Sequence, residues 1–176
     1  MDYKNNLDAE SIYEVAVLTR TILLNMSSIG ENLTEIINKV ISSKYEGKCV
    51  VEGYIKPGST KIVSYSSGLI SGENVFFEVV IQCEICYPVE GMLIQCVAKN
   101  ITKAGIRAIS ANEKDEENSP FIVFIARDHH YMNDQFQSIQ EGTRFVAKVI
   151  GQRFELNDKY ISIIAELSKQ KLKSKK

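Results

Sequence analysis

From Val75 to Tyr87 every second residue is apolar: Val75, Phe77, Val79, Ile81, Cys83, Ile85 and Tyr87. A period of two places all seven on one face of an extended chain, so the segment is predicted to be a long strand with one side kept from water. Pro88 follows and cannot donate to a strand ladder, which sets the end of the strand. Such a strand needs partners to pair with and a layer to cover its apolar face. The preceding residues supply both. Residues 12–24 (IYEVAVLTRTILL) are rich in β-branched side chains, lack a helical stripe and are predicted as a strand. Ser28 with Glu31 has the spacing of a capping box, after which Leu33, Ile36, Ile37, Val40 and Ile41 recur at helical intervals. Gly47 restarts an extended run through Tyr54 and Ile55, Pro57-Gly58 makes a turn, and residues 61–66 form another strand. The first half therefore reads as strand, helix and three strands, a small sheet covering one helix.

After Pro88 the rhythm changes. Five short extended runs, at 92–100, 105–110, 121–126, 144–153 and 160–167, follow with no helical stripe among them. Five strands in so short a span suggest a closed barrel, and the OB-fold is the commonest one of that size. Leu156-Asn157-Asp158-Lys159 fits a hairpin connection, and residues 112–119 (NEKDEENS) a charged, solvated loop. The expected fold class is thus α+β, with a polar leader (1–11), an N-terminal domain (12–87), a barrel domain (88–167) and a lysine-rich tail (168–176). At 44% hydrophobic and 24% charged the chain has the composition of a folded protein. A net charge of -1 excludes a surface that wraps nucleic acid as a whole, because such binding releases counterions in proportion to the phosphates neutralised. Any nucleic-acid contact must be local. The polar start lacks the features of a secretory signal, and no apolar run approaches a membrane span, so an intracellular protein with no membrane contact is expected.

The order of these parts and certain residues resemble the stalk subunit of cellular RNA polymerases, the family of subunit seven of eukaryotic polymerase II and its archaeal counterpart. The resemblance runs from about Ile12 to Leu167. It rests on ThrIleLeuLeu at 21–24, the helix from Asn32 to Ile41, TyrGluGlyLysCys at 45–49, Gly53-Tyr54-Ile55, and the long strand into Tyr87-Pro88-Val89-Glu90-Gly91. In the barrel it rests on Lys103-Ala104-Gly105, Phe124-Ile125-Ala126-Arg127, and Lys148-Val149-Ile150-Gly151 with Asn157-Asp158. The resemblance implies a tip domain followed by an S1-like OB barrel, and no catalytic activity. It implies docking on the largest polymerase subunits at the base of the clamp, and weak contact of the barrel with nascent single-stranded RNA and with initiation factors. It leaves a place for a helical stalk partner subunit. The sequence departs from the pattern where many S1 domains carry an aromatic residue after the glycine of the second strand: Gly105-Ile106-Arg107-Ala108 has none. Heavy use of Ile, Lys and Asn suggests an AT-rich genome, such as that of a large DNA virus. The implied location is the nucleus or, for a viral protein, the cytoplasmic viral factory and the virion. The alternative is a free-standing S1-type RNA-binding protein, translation-related or a decoy.

Candidate RNA-binding residues are Lys99, Lys103, Arg107 and Arg127, on or between the first three barrel strands, with Phe124, His129, Tyr131 and Lys148. Alternation supports Arg107, since Ile106 and Ala108 beside it would face the core. The plainer reading of the same basic residues is a solvated sheet edge. Asp128-His129-His130 could offer a general base or a metal ligand, but no nucleophile motif or neighbouring cysteine accompanies it, and a loop that combines charge with stackable rings fits better. Docking candidates are the uncharged or glycine-bearing loops at the ends of the sheet: Met26, Ser27, Ile29 and Gly30, and Lys56, Pro57 and Gly58. Cys83-Glu84-Ile85-Cys86 has zinc-like CxxC spacing, yet residues three apart in a strand point to opposite faces and no second pair completes four ligands. Packing is the expected role of Cys49, Cys83, Cys86 and Cys96, with no disulfide framework, metal or cofactor.

Overall fold

The computed structural model describes residues 12–114, 116–130 and 132–168. The leader 1–11, Tyr131 and the lysines after residue 168 lie outside the described residues. The first half is built on β6 (Asn74–Cys86), which pairs antiparallel along one edge with β1 (Glu14–Asn25). Its other edge takes β5 (Leu69–Ser71), β4 (Lys61–Tyr65) and β3 (Gly53–Ile55) in succession, and β2 (Cys49–Val50) extends the sheet from β3. Val75, Phe77, Val79, Ile81, Cys83 and Ile85 are all buried on the face met by α1 (Leu33–Tyr45), whose Ile37 and Ile41 are fully enclosed with Leu18, Ile22 and Leu24 of β1. Each such aliphatic side chain contributes about 1.5–3 kcal/mol by leaving water.

The structure corrects several details of the sequence reading. Tyr87 leaves the apolar face: β6 ends at Cys86, which turns into the second core, and the Tyr87 ring stands half exposed, edge-on to Phe154 at 6.1 Å. The Ser28–Glu31 capping box does not form, because Ser28 is taken up in a 3-10 turn (Met26–Ser28) capped by Asn25, whose Oδ1 accepts from Ser27 N–H at 3.0 Å. Helix α1 starts later, from Asn32, with no side-chain cap. The run after Gly47 is not continuous. It breaks at Val51-Glu52 into the β2–β3 hairpin, where Gly53 has φ 133° and a Cβ would lie 2.5 Å from the Cys86 carbonyl oxygen. Strand β5 was not expected; it closes a tight turn onto β6 through Gly72.

All five runs of the second half become strands: β7 (Leu93–Ile101), β8 (Gly105–Ser110), β9 (Phe121–Ala126), β10 (Arg144–Arg153) and β11 (Ile161–Leu167). They close in the order β7-β8-β9-β11-β10 and back to β7, antiparallel except for the parallel pair β9·β11. This is a Greek-key return compatible with an OB-like barrel. Between β9 and β10 lie α2 (Asp134–Gln137) and the 3-10 turn Arg127–His129, which were not expected because they are too short to show a helical stripe. They seat Phe136 and Ile139 in the barrel core. His130 is buried there, not displayed on a loop: Leu167 N–H donates to its Nε2 at 3.0 Å, so Nδ1 carries the proton and donates to the Ala126 carbonyl at 2.9 Å.

Cys49, Tyr54 and Cys86, from the first half, pack into the barrel's apolar cluster. The two thiols of the CxxC therefore sit in different cores, Cys83 against α1 and Cys86 against the barrel, and cannot share a metal in this arrangement. Burial pushes the thiols of Cys49 and Cys86 up to about 12. Main-chain bonds reinforce the junction: Cys49 N–H donates to Asp158 O at 2.7 Å and Asn157 N–H to Cys49 O at 2.9 Å. Asn157 takes the left-handed conformation, φ 71°, that this turn requires.

Candidate nucleic-acid interface

OB barrels usually bind oligonucleotides on the face of their second and third strands and on the loops joining strands one to two and four to five. The parallel pairing of β9 with β11 puts the loops that precede them at one end of the barrel. That end meets the N-terminal sheet, and the β10–β11 turn is held there by β2. Exposed on the outer face of the barrel are Arg107 of β8, Phe124 of β9 and Ser162, Ile164 and Glu166 of β11, together with the β7–β8 turn at the far end.

On that face the register lines up Asn100, Arg107, Phe124 and Ile164 as successive cross-strand neighbours, all exposed. Ile106 and Ala108 on either side of Arg107 are buried, as alternation requires. The Phe124 ring lies over Gly105, where a Cβ would come within 3.0 Å of its Cζ and 2.2 Å of the Ile125 carbonyl oxygen. An aromatic surface thus sits beside a guanidinium, supplied by the third strand in place of the missing aromatic on the second. Together they can stack on a base and meet a phosphate without reading sequence.

The other candidates are distributed unevenly. Lys103 and Arg127 line an open depression of about 480 Å³ with Ile101 and Thr102. The Arg127 guanidinium is already engaged, donating to the carbonyls of Lys103 at 3.1 Å and Thr102 at 2.9 Å and lying 5.4 Å over the Phe136 ring. It holds the β7–β8 turn against the segment after β9. His129 is exposed on that segment. Lys99 donates to the Lys114 carbonyl at 2.6 Å, and Arg107 pairs with Glu116 at 3.2 Å, so the β8–β9 loop folds back over both cations. Lys148 is not brought to this face: it projects from β10 and pairs with Glu166 of β11 at 3.6 Å. Ile164 was overlooked in the sequence, although the adjacent Ile163-Ile164 of a strand must send one side chain outward.

The two docking loops lie far apart. Met26 N–H bonds Glu73 O beside one end of β6, whereas Lys56 N–H bonds Glu84 O near the other. The ten residue steps from Asn74 to Glu84 span about 33 Å of strand. Ser27 and Gly30 are exposed beside Met26, while Ile29 packs against the core. At the other loop Lys56 pairs with Glu84 at 2.5 Å and lies over the Tyr13 ring, and Gly58 N–H is held by Glu46 at 2.9 Å, with Pro57 and Gly58 exposed. Beside Met26 the face of the sheet turned away from α1 carries an apolar row. Leu23, Phe76 and Leu69 form one cross-strand row over β1, β6 and β5, exposed at 51%, 38% and 70%. The adjacent leucines 23 and 24 were its signal.

Among the described residues no three His, Cys, Asp or Glu side chains converge as a metal site would, and no helix is long and apolar enough to cross a membrane. The molecule is defined by a helix-backed sheet joined to an OB-like barrel whose outer face carries Arg107 beside the Phe124 ring. Compared with models of known protein families, the chain matches none. It is 27% identical, over 175 aligned residues that take in 90% of its length and 83% of the relative, to a protein of Acanthamoeba polyphaga mimivirus named as a "putative DNA-directed RNA polymerase subunit".

Proposed function

We propose that this chain is a non-catalytic subunit of a DNA-directed RNA polymerase, of the stalk type. Its N-terminal sheet acts as the tip that docks on the largest subunits near the clamp base, and the β8–β9–β11 face meets nascent single-stranded RNA and initiation factors. The observation that carries this reading is the extent of the similarity to the mimivirus protein, which takes in 90% of the chain and so spans sheet and barrel alike. A barrel by itself would say little, because the same fold serves unrelated binding functions. The Leu23–Phe76–Leu69 row supports the docking half: an apolar patch without charge at its centre is what a protein interface buries. The Arg107–Phe124 pair supports the RNA half. A helical stalk partner is compatible with this arrangement, and for a viral polymerase the setting is the cytoplasmic viral factory.

The test is affinity purification of the tagged full-length chain from the cells that express it. The two largest polymerase subunits are expected to copurify with the parent chain and with Arg107→Ala/Phe124→Ala, and to be lost with Leu23→Glu/Phe76→Glu. Because both leucine and phenylalanine are already exposed, the latter variant should fold. A parent chain that brings down no polymerase subunit overturns the proposal.

A further inference from the structure

The β8–β9 loop is the one segment of the barrel whose composition the proposed function leaves without a role. Between Asn112 and Ser119 it carries Glu113, Asp115, Glu116 and Glu117 against a single Lys114. Its two ends are fixed. Ala111 N–H bonds Gln95 O at 2.9 Å, and the buried Ser119 hydroxyl donates to Phe121 O at 2.6 Å while accepting from Ser110 N–H at 3.2 Å. A loop stapled at both ends is held over the strands it joins. There the Lys114 carbonyl accepts from Lys99 of β7, and the Glu116 carboxylate forms an ion pair with Arg107 of β8.

A carboxylate at hydrogen-bond distance from a guanidinium stands where a phosphate oxygen would stand. From this geometry we infer that Glu116 is a built-in competitor for the RNA backbone at Arg107, and that the acidic loop tunes the barrel to hold RNA weakly. This inference rests on the reading of the β8–β9–β11 face as an RNA surface. RNA can take Arg107 only by displacing Glu116, and the remaining loop charge repels the incoming phosphates at low salt. The consequence is a face that releases a strand as readily as it takes one, which suits a transcript that must keep sliding past. Phe124 lies outside this competition, since stacking on its ring needs no counterion.

The size of the effect follows from the exposure of the pair. An exposed ion pair changes an equilibrium by at most about fivefold, so releasing Arg107 should tighten binding by about two- to fivefold. The gain should be largest at low salt, where the Glu116–Arg107 pair is least screened, so the dependence of log affinity on log salt steepens. The experiment titrates a fluorescein-labelled oligouridylate with the full-length chain over a range of salt, using the parent, Glu116→Gln, Glu117→Gln, Arg107→Ala and the Glu116→Gln/Arg107→Ala double variant. Glu116→Gln is expected to bind more tightly with a steeper salt slope, Glu117→Gln to gain less, and the gain from Glu116→Gln to vanish without Arg107. If the parent binds RNA through Arg107 and Glu116→Gln changes nothing, or gains equally in the Arg107→Ala background, the competitor is refuted and the RNA face stands. If no variant binds at any salt, or binding ignores both Arg107 and salt, the RNA reading itself falls and the inference with it.

Discussion

Replacing His130 by alanine should be among the most damaging single changes to the barrel. Its imidazole joins three segments: the end of β9 through Ala126 O, the end of β11 through Leu167 N–H, and α2 through a stacked contact with Phe136 at 5.2 Å. Truncation leaves a buried donor and a partly buried acceptor without partners, at about 1–3 kcal/mol each, and removes a ring contact of about 0.5–1.5 kcal/mol. Allowing for relaxation and for water reaching Ala126 O, His130→Ala should lose about 3–5 kcal/mol, readable as a lower urea midpoint with an unchanged slope. His130→Gln, which can place an acceptor near Leu167 N–H, should recover part of the loss, whereas His130→Phe, which keeps the ring and no polar atom, should recover little. The reasoning fails if His130→Ala costs under about 1 kcal/mol, or if His130→Phe matches the parent; either result would mean that the two hydrogen bonds contribute nothing net.

Two further outcomes follow from the packing of the barrel. Gly105→Ala drives a Cβ to 2.2 Å from a backbone oxygen that cannot turn aside, so it should destabilise the barrel by about 1–3 kcal/mol and shift the Phe124 ring, seen as a lower melting temperature and an altered near-ultraviolet spectrum. The thiols of Cys49 and Cys86, raised to about 12 by burial, should resist iodoacetamide in the native protein at pH 8 and react at once in denaturant. Because folding raises their pKa, the neutral thiols' contribution to stability is complete below the unfolded value of about 8.5 and declines as pH climbs from there toward 12. Stability should therefore fall at alkaline pH, and less so in Cys86→Ser.

The legible parts of the fold were those set by one repeating pattern. Alternation from Val75 to Ile85 is maintained by a single buried face, and α1 shows its stripe because Ile37 and Ile41 must both reach that face. What the sequence hid depends on tertiary contact. Gly53 does open a strand, but nothing in the sequence marked its positive φ, at which a Cβ would meet the Cys86 carbonyl. His130 read as a loop residue because its partners lie at residues 126 and 167, the second of them on another strand. For the candidate site, alternation was enough to turn Arg107 outward, and the chain's order brought Phe124 beside it. The Glu116 ion pair could not be anticipated, since it depends on how far the β8–β9 loop folds back. Nor could the distance between the two docking loops, which is set by the length of β6.

The bond pair between Cys49 and the 157–158 turn uses only backbone atoms. Surface side chains away from Cys49, Tyr54, Cys86 and the Tyr87–Phe154 contact can therefore be exchanged without touching the bonds that join sheet and barrel, provided residue 157 still tolerates a left-handed bend. A one-residue insertion between 154 and 160 would do what dozens of surface replacements would not. It would shift the turn that Cys49 holds, and with it the set of the barrel against the sheet.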